Sequence, residues 1–171
     1  MSLTGYDLDA AVVDVGDRSL GPLLDACAAT GTLALAGAAV LGHTDRSRSI
    51  GVLAVTPTGV VDVDGWRLGL AVCKDTGHPE HAVATAACGI DAYVAGIVHG
   101  ADEPDEHERR ASRVIADHGV AVAIASFAGP TGGGYDETAG RSAIWAADGT
   151  VLALAGPDPG EIVRAELARP P

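Results

Sequence analysis

Cys73 is the residue around which chemistry can be organised. It lies in the stretch 65–80, Gly-Trp-Arg-Leu-Gly-Leu-Ala-Val-Cys-Lys-Asp-Thr-Gly-His-Pro-Glu. Alternation places Leu68, Leu70 and Val72 on one side of a strand and Arg67, Gly69, Ala71 and Cys73 on the other. The small apolar run suits a strand covered on both faces. Cys73 falls where that strand stops. Asp75, Thr76 and Gly77 form a turn, and Pro79-Glu80 opens a helix running to Cys88. Proline fits a first helical position, and Glu80 adds negative charge to the first turn. A cysteine at such a turn sits near free backbone N–H groups, which can stabilise a thiolate or a developing oxyanion. The competing account is that Cys73 is a small buried hydrophobe, as many intracellular cysteines are.

The elements that must position it follow from pattern. A helix capped by Ser19 runs through Pro22, Leu23, Leu24, Ala26 and Cys27 and stops at Gly31, with Cys27 on its apolar stripe. Strands over 33–41 and 50–55 pair as a hairpin around a polar turn at His43. Thr56-Pro57-Thr58-Gly59 is a short connection. The strand 60–63 then returns through the Asp64-Gly65 turn into the strand that ends at Cys73. A strand over 92–98, a helix from about 106 to 118 capped by Gly119, and a buried strand over 120–126 come next. Asp102, Glu103, Asp105, Glu106 and Glu108 make an acidic run expected to be a solvated face. A Gly-rich loop spans 127–140. A hairpin follows, 141–146 and 151–155 around Asp148-Gly149, and a last short strand covers 161–167. Alternating strands and helices, with hairpins on both sides, imply a mixed α/β layered fold.

Composition narrows the classes. The 171 residues predict a single domain over 1–171, and 47% apolar content supplies a core built from Ala, Val, Leu and Ile. A net charge of −12 disfavours nucleic acid or an anionic membrane surface as partner. Three cysteines at no framework spacing favour a reduced cytoplasm, and neither a leader peptide nor a membrane span is evident. His78-Pro79-Glu80 superficially matches half of a zinc deaminase signature. Cys88 is followed by Gly89-Ile90-Asp91, so the Pro-Cys-x-x-Cys half is missing. No metal or other cofactor is expected. Gly132-Gly133-Gly134 is not a phosphate loop, because no Lys-Ser or Lys-Thr follows.

Ala71-Val72-Cys73-Lys74-Asp75 with Pro79-Glu80 resembles the nucleophile motif of the nitrilase superfamily, the carbon–nitrogen hydrolases. Ser2-Leu3-Thr4-Gly5-Tyr6 is similar to the segment after that family's first catalytic glutamate. Arg110-Ala111 and Ala125-Ser126-Phe127-Ala128-Gly129 resemble the following helix and strand. Gly140-Arg141-Ser142 with Asp148-Gly149 is similar to a late hairpin. The resemblance implies an α/β, αββα four-layer sandwich, here incomplete. It also implies hydrolysis of a non-peptide amide or nitrile bond, with Cys73 as nucleophile and the Lys74 backbone N–H as oxyanion donor. Asp75, His78, Glu80, Phe127 and Tyr135 are the candidate pocket residues, and a homo-oligomer is expected by the same resemblance.

Two family parts have no counterpart. The first glutamate would precede Leu3, where the sequence begins. The catalytic lysine and its supporting glutamate would fall where only Thr56-Pro57-Thr58-Gly59 stands. Lys74 is the sole lysine and directly follows the cysteine, so its side chain is expected to point away from the thiol. Three accounts remain open: a truncated product, a silent relative acting in assembly or small-molecule binding, or a chain using Asp75, His78, Glu80 or His81 as substitutes.

Overall fold

A computed structural model describes residues 12–13, 18–32, 34–41, 48–55, 62–131 and 135–168. The segment around Leu3, the turn at His43, the connection 56–59 and Gly132-Gly133-Gly134 lie outside the described residues. The strands are β1 (Val12–Val13), β2 (Ala34–Leu41), β3 (Arg48–Val55), β4 (Asp62–Val63), β5 (Trp66–Val72), β6 (Ala92–Ile97), β7 (Ala121–Ser126), β8 (Ala143–Trp145) and β9 (Val151–Leu154). The helices are α1 (Gly21–Thr30), α2 (Pro79–Ala86) and α3 (Glu106–His118). They build an α/β fold with two sheets, one of order β1-β2-β3 and one of order β4-β5-β6-β7-β8-β9.

The expected hairpin is present: β2 pairs antiparallel with β3 from Ala34↔Val55 to Leu41↔Arg48. Asp64 (φ 51°) and Gly65 (φ 75°) both adopt the left-handed conformation of a two-residue turn joining β4 to β5. In the large sheet, β5, β6 and β7 run parallel, linked through α2 and α3, while β4, β8 and β9 are antiparallel to their neighbours. Parallel neighbours need such crossovers, so the helices lie on the sheet face.

Strand alternation sorts the residues of the large sheet between two environments. Ala71, Tyr93, Ala95, Val122 and Trp145 face a core closed by Ala82 of α2 and by Ala111, Val114 and Ile115 of α3. Val72, Val94, Gly96, Ala123 and Ile144 face the other way, across a cavity whose far wall is Gly37, Ala38 and Ala39 of β2. Gly69 is needed for the approach of α2, because a Cβ there would lie 2.7 Å from Ile90 Cδ1 and collide with the Thr85 methyl. On α3 the buried residues His107, Ala111, Val114 and Ile115 recur at helical spacing, and Gly119 (φ 63°) ends the helix with its N–H on Ile115 O.

Several expectations are corrected. The cap position of α1 falls at Leu20, after a short 3-10 turn over Arg18–Leu20, rather than at Ser19. Helix α2 ends at Ala86 rather than at Cys88, which sits exposed in the following turn. The segment 161–167 is not a strand. Its residues alternate between exposed and half-buried, but it has no ladder partner among the described residues, and Ala165 and Leu167 line a small hollow with Trp66 and Leu68. Alternation reports sidedness, and only a neighbouring backbone makes a strand. The acidic run is largely solvated, but Glu106 turns back onto Arg109 and Arg110.

Beneath α3 lie two buried imidazoles. His99 and His107 stack at 6.3 Å between centroids, and Trp145 meets His107 edge-on. Both ring nitrogens of His99 and Nδ1 of His107 have no hydrogen-bond partner among the described residues. Burial is the main cause holding both below the ordinary imidazole pKa, with the Arg110 charge adding to it at His99. Both therefore take up protons less readily when folded than in the unfolded chain, which does so below about pH 6.5. More protons bound in the unfolded state means stability rises with pH there. Denaturant midpoints should hold above that pH and fall steadily as it drops toward 5. His99→Phe should flatten the fall, and an unchanged slope would show that His99 does not contribute.

Candidate active site

The site is assembled at the carboxyl end of β5. Val72 is still extended (φ −120°), but Cys73 has φ +42°, one of three non-glycine residues in the left-handed region among those described. From there Cys73–Gly77 form a single 3-10 turn. The chain reverses at Cys73, and this left-handed φ is strained for an L-residue. The thiol ends up half-buried beside β6, where it donates to Val98 O at 3.7 Å. The first N–H groups of the turn, that of Lys74 among them, have no acceptor within it. Cys73 also lines the cavity between the sheets, about 540 Å³ in volume. Carboxyl ends of parallel strands are the usual place for ligands in such sheets.

Two sets of contacts hold the elbow. The Asp75 carboxylate folds back to accept the Val72 N–H at 3.0 Å. Behind it His81 Nε2 lies 3.9 Å away, and His81 Nδ1 is 3.0 Å from the buried Tyr93 hydroxyl. Burial, reinforced by the negative charge of Asp75, pushes the Tyr93 pKa up to about 12, so the hydroxyl stays protonated. The second set comes from α3. Arg110 Nη1 donates to the Thr76 hydroxyl at 2.9 Å and to Cys73 O at 3.4 Å, and Arg113 Nη2 donates to Thr76 O at 2.6 Å. The Thr76 hydroxyl itself donates to Cys73 O at 2.6 Å. Glu106 receives Arg110 Nε at 2.7 Å, and this bond holds its carboxyl below the usual carboxylate range.

The candidate residues separate accordingly. Cys73 and Phe127 line the cavity. The Lys74 side chain is exposed, as its place after the cysteine predicted. Asp75, His78, Glu80 and His81 are outside the cavity lining. Asp75 is occupied by the elbow, and His78 and Glu80 pair with each other at 3.1 Å in the open. The physical reason is the reversal at Cys73, which sends the following residues to the α2 side of the sheet. Tyr135 lies half-buried in its loop, whose Thr131 N–H it accepts, and is also outside the lining. Among the described residues no group of three or more His, Cys, Asp or Glu could hold a metal ion. The roles of Thr76, Arg110 and Arg113 were missed. Arg110 was visible in the sequence as part of a motif, but its partner lies 37 positions away.

A model of the carbon-nitrogen hydrolase family matches residues 42–170. The chain belongs to that family. The cysteine that the family's chemistry uses is present, while its catalytic glutamate and lysine are not identified among the described residues. No curated protein matches the sequence. Solved structures share the fold. Saccharomyces cerevisiae Nit3, of branch 10 of the nitrilase superfamily, superposes with a TM-score of 0.73 at 16% identity, over 83% of this chain and 62% of that one. An amidase from Nesterenkonia sp. gives 0.70 at 20% identity, over 84% and 64%. A mutant of that amidase carries the acetamide moiety of fluoroacetamide covalently on its active-site cysteine. XC1258 from Xanthomonas campestris, a CN-hydrolase superfamily protein with an arsenic adduct in its active site, gives 0.69 at 14% identity, over 84% and 66%. This carbon-nitrogen hydrolase chain thus spans about two thirds or less of the length of these structures.

Two outcomes follow for the elbow. Arg110→Met strips donors from Cys73 O and Thr76 and leaves Glu106 with Arg109 alone, which should cost about 1–3 kcal/mol in urea unfolding. Arg110→Lys should recover only part, since one ammonium cannot reproduce the fork. Glycine adopts φ +42° without strain, so Cys73→Gly should unfold about 1 kcal/mol later than Cys73→Ala. Equal midpoints would show that the elbow is unstrained.

Proposed function

We propose that the protein hydrolyses a non-peptide carbon–nitrogen bond, amide or nitrile, with Cys73 as the nucleophile. The observation that carries this is the strained, half-buried cysteine at a strand end, opening onto a cavity, in a chain matched by the carbon-nitrogen hydrolase model. The covalent adducts on the cysteine of the Nesterenkonia amidase support the same chemistry by analogy.

For an amide, the sulfur attacks the carbonyl carbon and the carbonyl π electrons move to oxygen. The Lys74 N–H is the donor we assign to that oxyanion. Collapse of the adduct breaks the C–N bond, the nitrogen leaves with the thiol proton as ammonia or amine, and a thioester remains on Cys73. Water then adds to the thioester, releasing a carboxylic acid and restoring the thiol. A nitrile takes the parallel route through a thioimidate.

The base is the open part of this scheme. Glu161 is the one carboxylate among the described cavity-lining residues, and its Oε2 already accepts the Gly156 N–H at 2.7 Å. That engagement favours a second reading, a catalytically silent family member acting in assembly or small-molecule binding. We also read the chain as self-associating and cytoplasmic. The outer strand β9 exposes Val151 and Leu154 along an edge that a second copy can pair with, and the three cysteines are free thiols suited to a reducing compartment. An incomplete four-layer αββα arrangement belongs to the same reading. It is supported by α2 and α3 on one face of the large sheet and by β2 across the cavity on the other.

Loss of one oxyanion donor alone costs roughly a hundredfold or more in turnover, so hydrolysis should be slow. Incubation with simple aliphatic amides should release ammonia slowly and give an acyl mass increment on Cys73, both abolished in Cys73→Ala. Ammonia release that persists in Cys73→Ala would overturn the nucleophile. Neither ammonia nor adduct from the unaltered chain would establish the silent reading.

A further inference from the structure

We infer that the cavity between the two sheets receives an unbranched hydrocarbon chain, and that the substrate class is therefore an aliphatic amide or nitrile with a long apolar chain whose reacting carbon lies at Cys73. This rests on the reading of Cys73 as nucleophile and adds what it acts on.

The space itself calls for an occupant. Protein interiors are filled close to crystal density, with few voids larger than a water molecule. Here about 540 Å³ is open between β2 and the large sheet, within the roughly 300–1,000 Å³ typical of small-molecule sites. Its origin is legible in the residues: Gly37 of β2 and Gly96 and Ala123 of the large sheet line it, where larger side chains would have filled the gap.

The lining selects the chemistry. Val72, Val94 and Ile144 form the sheet wall, and Phe127 stands beside them. Of the polar side chains present, Ser142 and Glu161 are already engaged with the protein, while the buried Ser126 Oγ has no partner among the described residues. Ser142 Oγ accepts the Ser126 N–H at 3.0 Å and donates to Ser126 O at 3.3 Å. The carboxylate of Glu161 is held by Gly156. A charged or strongly polar chain would lose its water here with a single neutral hydroxyl, that of Ser126, to replace it. A hydrocarbon chain loses nothing and removes apolar wall from water. Cys73 is part of the same lining, so a chain seated there has its reactive end at the thiol.

The test labels the 171-residue chain with alkyl methanethiosulfonates from methyl to octyl, below their aggregation limits. The cysteine sulfur attacks the sulfenyl sulfur, a disulfide forms, methanesulfinate leaves with the bonding electron pair, and the thiol proton passes to water. Rates at Cys73 are referred to the exposed Cys88 by peptide mass mapping. The Cys73-to-Cys88 rate ratio should climb with chain length, by up to about fourfold per methylene, until the cavity is full. Gly96→Val gives a second measurement. A Cβ at Gly96 meets nothing within 4 Å, and valine suits a strand, so the variant fills the cavity with little disturbance. It should lower the octyl-to-methyl rate ratio at Cys73 by at least about tenfold, reflecting several methylenes displaced. A ratio that stays flat with chain length in the unaltered protein overturns the chain site and leaves the nucleophile standing. No labelling of Cys73 by the methyl reagent, while Cys88 reacts, overturns both.

Discussion

One backbone torsion governs this molecule. Cys73 is turned into the left-handed region at the end of a buried parallel strand, a conformation that an L-residue holds only when its surroundings insist. The insistence comes from both sides. Asp75 ties the preceding N–H from within the turn, and Arg110 and Arg113 reach across from α3 to the carbonyls of Cys73 and Thr76. Without that reversal the strand would carry its alternation onward and the thiol would pack into one face of the sheet. With it, the sulfur stops at the strand end, beside Val98 and at the cavity.

The same anchoring couples the site to the core beneath α3. Arg110 is shared between the elbow and Glu106, and its charge also bears on His99 in the imidazole layer against Trp145. Helix α3 is thus both the cover of the large sheet and the clamp on the nucleophile. Its amphipathic pattern fixes the first role, and the second depends on two arginines at its inner border.

Small residues shape the rest. Gly69 lets α2 lie close to β5 on the helix side. On the opposite face, Gly37, Gly96 and Ala123 do the reverse and leave a gap between sheets. The composition, rich in Gly and Ala and poor in aromatics, serves close approach on one side and open volume on the other. Which outcome a glycine gives depends on what faces it, and no count of glycines contains that information.

The sequence by itself determined the elements and their sides. Short apolar runs marked β2, β3, β5, β6 and β7, Asp64-Gly65 marked a turn, Gly119 marked a helix end, and Cys73 was placed where a strand stops. These are local preferences of a few residues, so they are written in adjacent positions. Tertiary structure alone decided where the residues after the elbow go. Asp75, His78 and Glu80 are neighbours of Cys73 along the chain, yet the reversal carries them to the far side of the sheet, while Arg110 comes from 37 positions away to hold it. It also decided that 161–167, with a strand's alternation, has no ladder partner among the described residues, and that a cavity stands between the two sheets. Those outcomes depend on which surfaces meet, and the free energy of such meetings is spread over residues distant in the chain.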